Sequence, residues 1–250
     1  GYTFSHGNGN ADIWLIKTDK DGYPIWSKTF GGPDWDYGYS VKETRDGGYI
    51  ITGFTEGEDK ESSRIWLVKT NVFGEEMWSH TFGGRQRNEG RSIIETEDGG
   101  YILAGTTQNF FPNYEDVIII RTNEEGKSLW EKTFGGQSWD RSSSVIQTKE
   151  GNFVVAGSSR LNDESTADSW LMKFDSNGNQ IWEKKYSNSF DDDIYSIENT
   201  TDGGFVMVGT STSIDGSPSN LLIIKTDFKG DIPKDDLHNN KNWDIIIGEQ

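Results

Sequence analysis

The sequence predicts an all-β protein, a five-bladed β-propeller with four antiparallel strands per blade. Three observations predict it: self-similarity at a fixed offset of 52 residues, two hairpin patterns in every unit, and a composition rich in glycine and aromatic residues. The offset is legible in four tracks and needs no insertion. Trp26, Trp78, Trp130 and Trp182 form one, with Lys234 at the next expected place. The turn glycines Gly22, Gly74, Gly126, Gly178 and Gly230 form the second. The third is the pair Gly47 and Gly48, repeated at Gly99 and Gly100, Gly151 and Asn152, Gly203 and Gly204. The fourth is the basic residue of "WLIKTD": Lys17, Lys69, Arg121, Lys173 and Lys225.

The elements of one unit follow in order. "YSVKETRDGGYIITGFT" is a hairpin, two runs of β-branched and aromatic residues around a turn at Asp46, Gly47 and Gly48. Its first strand carries small residues at Gly38, Gly90 and Ser142, and again at Ser40, Ser92, Ser144 and Ser196, which suits the innermost strand crowding a propeller axis. "RIWLVKTNVFGEEMWSHTF" is the second hairpin, turning at Gly74. Its last strand carries the tryptophan, which is expected to cover the gap between neighbouring blades and to bury area worth on the order of 2–3 kcal/mol. No helical periodicity is sustained, so a helical solenoid of similar period is a poor fit.

The ends extend the same register. Gly1, Tyr2 and Thr3 align with Gly53, Phe54 and Thr55, at the end of a second strand. "NWDIIIGEQ" at the other end aligns with "DWDYGYSVK", a first strand. The expectation is one domain over residues 1–250, in register 1–36 (partial), 37–88, 89–140, 141–192, 193–244 and 245–250 (partial). The N- and C-terminal segments would pair to close the ring; a piece of a larger ring is the alternative. "DIPKDDLHNNK" before the last strand has lost the Trp and the Phe-Gly-Gly of the other units, as terminal repeats do.

Composition narrows the partners. With 41 acidic and 24 basic residues the formal charge is −17, which repels nucleic acid and anionic lipid. There is no cysteine, so disulfides, thiolate metal sites and cysteine nucleophiles are excluded. No apolar run approaches the roughly 18 residues needed to span a bilayer as a helix.

"TDKDGYPIWSKTFGG", "FDSNGNQIWEKKY" and "DGGYILAGTT" resemble the propeller repeats of secreted or surface proteins of bacteria and archaea. These are distantly similar to the tryptophan-docking repeats of quinoprotein propellers of the PQQ type. The resemblance covers nearly the whole chain and implies the fold and an extracellular or cell-surface location. It does not carry a quinone cofactor over, since the vicinal cysteine pair of those enzymes has no counterpart here.

Candidate chemistry gathers on the face of the variable loops, which differ between units while the strands agree. Asp36, Asn88, Asp140, Asp192 and Asp244 repeat at one position. Each side chain would tie down its own connector through backbone N–H groups. Alternatively, Asp36, Asp140, Asp192 and Asp244 would form an axial oxygen site for Ca²⁺. Immediately before them stand Trp35, Arg87, Trp139, Asp191 and Trp243. Trp35, Trp139 and Trp243 would either stack on sugar faces or pack on neighbouring loops. Phe110, Phe111 and Tyr114 make a further aromatic cluster, a contact patch or a satellite core.

The functional expectation is a non-catalytic scaffold or binding module, a monomer or part of a larger multidomain protein, offering its loops to a protein or a glycan. Near-equivalent blades support it, because catalysis normally requires one unit to break the pattern with matched acid, base or nucleophile. The alternative is a glycoside hydrolase or lyase using axial carboxylates. An architectural repeat of a larger surface protein is the third reading.

Overall fold

The computed structural model describes residues 1–56, 62–108, 114–160, 162, 166–186, 190–213 and 219–233. Phe110, Phe111, Trp243 and Asp244 lie outside them. Among the described residues there is no helix, and the strands form five separate antiparallel sheets.

Sheet 1 holds β1 (Tyr2–Thr3), β2 (Asp12–Thr18) and β3 (Pro24–Phe30). Sheet 2 holds β4 (Asp36–Glu43), β5 (Tyr49–Glu56), β6 (Ser63–Thr70) and β7 (Glu76–Phe82). Sheet 3 repeats it with β8 (Asn88–Glu95), β9 (Tyr101–Gln108), β10 (Glu115–Thr122) and β11 (Ser128–Phe134). Sheet 4 holds β12 (Asp140–Gln147), β13 (Phe153–Arg160), β14 (Ala167–Phe174) and β15 (Gln180–Tyr186), and sheet 5 β16 (Asp191–Asn199), β17 (Phe205–Thr212) and β18 (Asn220–Thr226). Each is a meander in chain order, the strand pattern of a propeller-like repeat. No closed ring is seen: sheets 1 and 5 have three strands each, and residues 242–250 fall outside the description. The chain divides into two compact units, Gly1–Asn113 with Val117–Thr133, and Tyr114–Asp116 with Phe134–Gln250.

Strand alternation builds the cores between sheets. Ile13 and Leu15 of β2 pack with Tyr49, Ile51 and Val68 of sheet 2, while Ile65 and Leu67, one residue out of phase, pack with Ile93, Leu103 and Ile118 of sheet 3. In the second unit Leu171 and Val154 meet Ile194, Met207 and Leu222. The tryptophans cover the rim of these seams. Trp26 lies edge-on to Tyr49 at 5.7 Å and over Gly74 of the next sheet, where an added Cβ would stand 2.7 Å from its ring. Trp78 repeats the contact on Tyr101 and Gly126, and Trp182 on Phe205 and Gly230.

Two tracks find their reason here. The small residues of the first strand face the preceding sheet: a Cβ on Gly38 would stand 3.0 Å from Ile13, and one on Gly90 would stand 2.1 Å from the hydroxyl of Thr52. Close approach of neighbouring sheets is what Gly38 and Gly90 permit. The basic track is a buried latch. Lys69 is 3% exposed, and its ammonium donates to the Asp46 carboxylate at 2.7 Å and to the carbonyl of Thr70 at 2.9 Å. Asp46 also accepts from the Thr44 hydroxyl and the Gly48 amide, so the Asp-Gly-Gly turn is pinned to the third strand. Arg121 with Asp98 and Lys225 with Asp202 repeat the latch.

Candidate functional site

The site is built on the start of each first strand. Asp36 is 2% exposed; its carboxylate accepts from the Gly32 amide of its own connector at 2.8 Å and faces Thr55 across the ladder. Asp140 accepts from the Gly136 amide at 2.8 Å and from the Ser159 hydroxyl. Asn88 uses its amide instead, accepting from Thr107 at 2.7 Å and donating to the carbonyls of Gln86 and Ser63. Each of these side chains therefore secures its own Gly-Gly connector. Asp192 is buried and paired in register with Ser211, in the same relation as Asp36 to Thr55. Among the described residues, no group of three or more His, Asp and Glu is placed to hold a metal ion.

Burial pushes the carboxyls of Asp36 and Asp140 above the ordinary carboxylate range, against the downward pull of their hydrogen bonds. At Asp36 a neighbouring carboxylate adds to the rise. Asp12, at the start of β2, lies on the other side of Gly31, where an added Cβ would stand 2.1 Å from Asp12 and 2.8 Å from Asp36. The sequence reading overlooked Asp12, whose counterpart one repeat later is Arg64.

Trp35 and Trp139 occupy equivalent places but different surroundings. Trp35, 38% exposed, is fixed at its backbone: its carbonyl accepts the Glu56 amide at 2.9 Å, and it bridges to Ala11, the residue before β2. Its indole runs nearly parallel to Tyr37 at 6.1 Å, and Tyr37 in turn stacks on its ladder partner Phe54 at 5.0 Å. Tyr39 extends the row and Phe4 meets Trp35 edge-on. Over the Trp139 ring lies the guanidinium of Arg141 at 5.1 Å, itself paired with Glu115, while Tyr114 stands edge-on at 6.2 Å. Arg141 is the repeat counterpart of Tyr37. One indole is thus presented beside other rings, and the other is capped by a cation.

A bulge accounts for the last member of the row. The ladder between first and second strands slips between Gly38 and Ser40, and again between Gly90 and Ser92, Ser142 and Ser144, and Ile194 and Ser196. The skipped residues in sheets 2 and 3 are Tyr39 and Arg91, and the guanidinium of Arg91 sits 4.5 Å above the Tyr39 ring while pairing with Glu89. Bulges re-aim side chains in this way. Burial, followed by the nearby Glu89 charge, pushes the Tyr39 phenol up to about 12.

Between sheets 2 and 3 these residues enclose a cleft of ≈ 290 Å³. Trp35, Tyr37, Tyr39 and Phe54 form its apolar side, and Glu56, Arg87, Glu89, Ser62 and Ser63 its polar side. The equivalent hollow in the second unit is smaller, ≈ 200 Å³, and its residues include Trp139, Arg141, Arg160 and Asp193. There Arg160 pairs with Asp191 and Arg141 with Glu115.

No family model matches the chain. Among curated proteins it is similar to the regulatory protein FlaEY of Caulobacter vibrioides, 21% identical over 175 residues, covering 60% of this chain and 18% of FlaEY. The chain thus spans less than a fifth of that relative. Among solved structures it is similar to a protein of unknown function from Bacteroides caccae, with TM-score 0.50 and 12% identity over 88% of this chain and 91% of that one. An endo-1,4-β-xylanase from Bacteroides thetaiotaomicron matches at TM-score 0.43 and 12% identity, over 74% and 69%. The Bacteroides caccae likeness is one of fold, a β-rich repeated-sheet architecture; the xylanase likeness bears no weight.

Proposed function

We propose that the chain is a five-bladed β-propeller binding module whose ligand site is the aromatic cleft between sheets 2 and 3. The observation that carries the reading is the break in repeat symmetry: among the described residues, only there are three neighbouring aromatic rings of one sheet gathered beside charged groups that make no described ion pair. The axial carboxylates do not favour the enzyme alternative, since Asp36 and Asp140 are buried and engaged with their connectors. A screen of small amphiphilic fragments by ¹⁵N NMR tests the reading, with resonances of Trp35, Tyr37 and Tyr39 expected to move together. Shifts confined to other surfaces would refute it. Hydrolysis of 4-nitrophenyl glycosides abolished by Asp140→Asn in a folded protein would install the enzyme reading in its place.

Ring closure rests on two rows of exposed apolar side chains. Trp14 and Ile16 of sheet 1 are exposed, while Trp66 and Val68, one repeat later, are half-buried and buried. Leu221 and Ile223 of sheet 5 are exposed, while their counterparts Ile65 and Leu67 are fully buried. A closed ring would cover both rows, and the sequence register, in which residues 242–250 align with residues 34–42, assigns that segment to the first strand of sheet 1. The register Asp36 to Thr55 then sets Asp244 opposite Thr3. The chain has no cysteine, so Thr3→Cys with Asp244→Cys is expected to form an intramolecular disulfide under mild oxidation. Cross-linking only between molecules would overturn the closed ring.

A further inference from the structure

We propose, resting on the binding-module reading, that the cleft between sheets 2 and 3 takes a neutral pyranose sugar. Among the described residues, the charges of its polar side balance. Glu89 is neutralised by Arg91, and the remaining pair, Glu56 and Arg87, has one of each sign. Among the described residues neither Glu56 nor Arg87 makes an ion pair, so both keep hydrogen-bonding capacity for a ligand. A carboxylate and a guanidinium side by side penalise an anion and a cation alike. Hydroxyl groups, which donate to the one and accept from the other, satisfy both. This balance is local, in a chain whose formal charge is −17.

The apolar side requires a ligand with an apolar face. Trp35 is 38% exposed with no cation over its ring among the described residues, which suits the C–H face of a sugar ring, while Tyr39, covered on one face by Arg91, flanks it. A cleft of ≈ 290 Å³ lies at the small end of ligand sites, with room for about one or two rings rather than a chain. The counterpart hollow lacks the platform, because Arg141 covers Trp139 and both of its arginines are paired. Of these two hollows, only the one between sheets 2 and 3 offers the site.

Methyl β-glucoside, methyl β-galactoside and methyl α-mannoside are the neutral probes, with methyl β-glucuronide as the anion and tetramethylammonium as the cation. Saturation-transfer NMR and indole fluorescence are expected to show saturable binding of at least one neutral glycoside, with Kd on the order of millimolar for so small a ligand. Glu56→Gln and Arg87→Met, both at solvent-accessible positions, should each weaken it about tenfold with an unchanged urea midpoint. Preferential binding of glucuronide or tetramethylammonium at the cleft would overturn the sugar assignment and leave the binding-module reading standing. Neutral binding indifferent to both substitutions would also overturn it, as would no binding of any probe; in that last case the fragment screen decides whether the binding-module reading falls too.

Discussion

Removing the carboxylate of the Asp46 latch should cost more than removing its cation. Asp46→Ala leaves the Lys69 ammonium 3% exposed with only the Thr70 carbonyl as a described partner, and it strips the acceptor from the Thr44 hydroxyl and the Gly48 amide. Breaking a buried pair from one side costs about 3–5 kcal/mol. The Asp46 side chain is 54% exposed, so water partly replaces it and the expected loss falls to about 2 kcal/mol. Lys69→Met keeps the apolar stem and leaves a carboxylate that water solvates, at a loss of about 1 kcal/mol or less. The double variant should therefore recover part of the Asp46→Ala loss. Urea unfolding followed by tryptophan fluorescence measures all three. A double variant as unstable as Asp46→Ala, or Asp46→Ala within about 0.5 kcal/mol of the parent, would refute the reasoning. The pH dependence has a definite sign. Burial works to raise the Asp46 carboxyl, but bonds from Lys69, Thr44 and Gly48 overcome it and hold it at about 2. A depressed folded value means the contribution is present above pH ~4 and is lost as pH falls toward 2, a loss Asp46→Ala should not show.

The tryptophan seam predicts a contrast between two turn glycines, Gly74 and Gly22, at φ 72° and 86°. Gly22→Ala meets no atom within 4 Å and should cost only the left-handed backbone, about 1 kcal/mol. Gly74→Ala would drive a methyl into Trp26 and should cost roughly 2 kcal/mol or more by urea titration; equal losses would mean the indole yields freely. At the connector, Asp140→Asn should stay within about 1 kcal/mol of the parent, since Asn88 fills the equivalent place, whereas Asp140→Ala strands the Gly136 amide and Ser159 hydroxyl at about 2 kcal/mol. Because burial raises the Asp140 carboxyl, the folded state holds that proton more tightly than the unfolded chain. Its contribution to stability grows as pH falls through the folded value, and Asp140→Asn should flatten that part of the profile.

The repeated sheets were legible because the 52-residue offset placed the hairpin-turn glycines and the last-strand tryptophans before any contact was known. The latch was half legible. The basic track stood out, but its partners Asp46, Asp98 and Asp202 are interrupted by Glu150 and hide inside turns that glycine already explains. Thr55, Thr107, Ser159 and Ser211 also repeat, and they went unnoticed because a hydroxyl in a strand carries no signal of its own. The site was least legible. Trp35 and Trp139 look alike until the residue two places on is seen to be Tyr37 in one and Arg141 in the other. The aim of Tyr39 depends on a bulge, which no alternation pattern announces.

Strand alternation divides structure from specificity within the same short segments. At the start of the first strand and the end of the second, one set of positions points at the connector: Asp36, Asn88 and Asp140, with Thr55, Thr107 and Ser159. These keep a polar side chain facing a hydroxyl in sheets 2, 3 and 4. The positions beside them, at one-residue offsets, belong to the other face. There Trp35, Tyr37, Phe54 and Glu56 become Trp139, Arg141, Ser158 and Arg160 in the second unit. A fixed row holds the backbone while an adjacent row is free to change, so one architecture can carry an aromatic cleft in one place and a charge-capped hollow in another. Substitutions in the fixed row should therefore register in stability and those in the free row in binding.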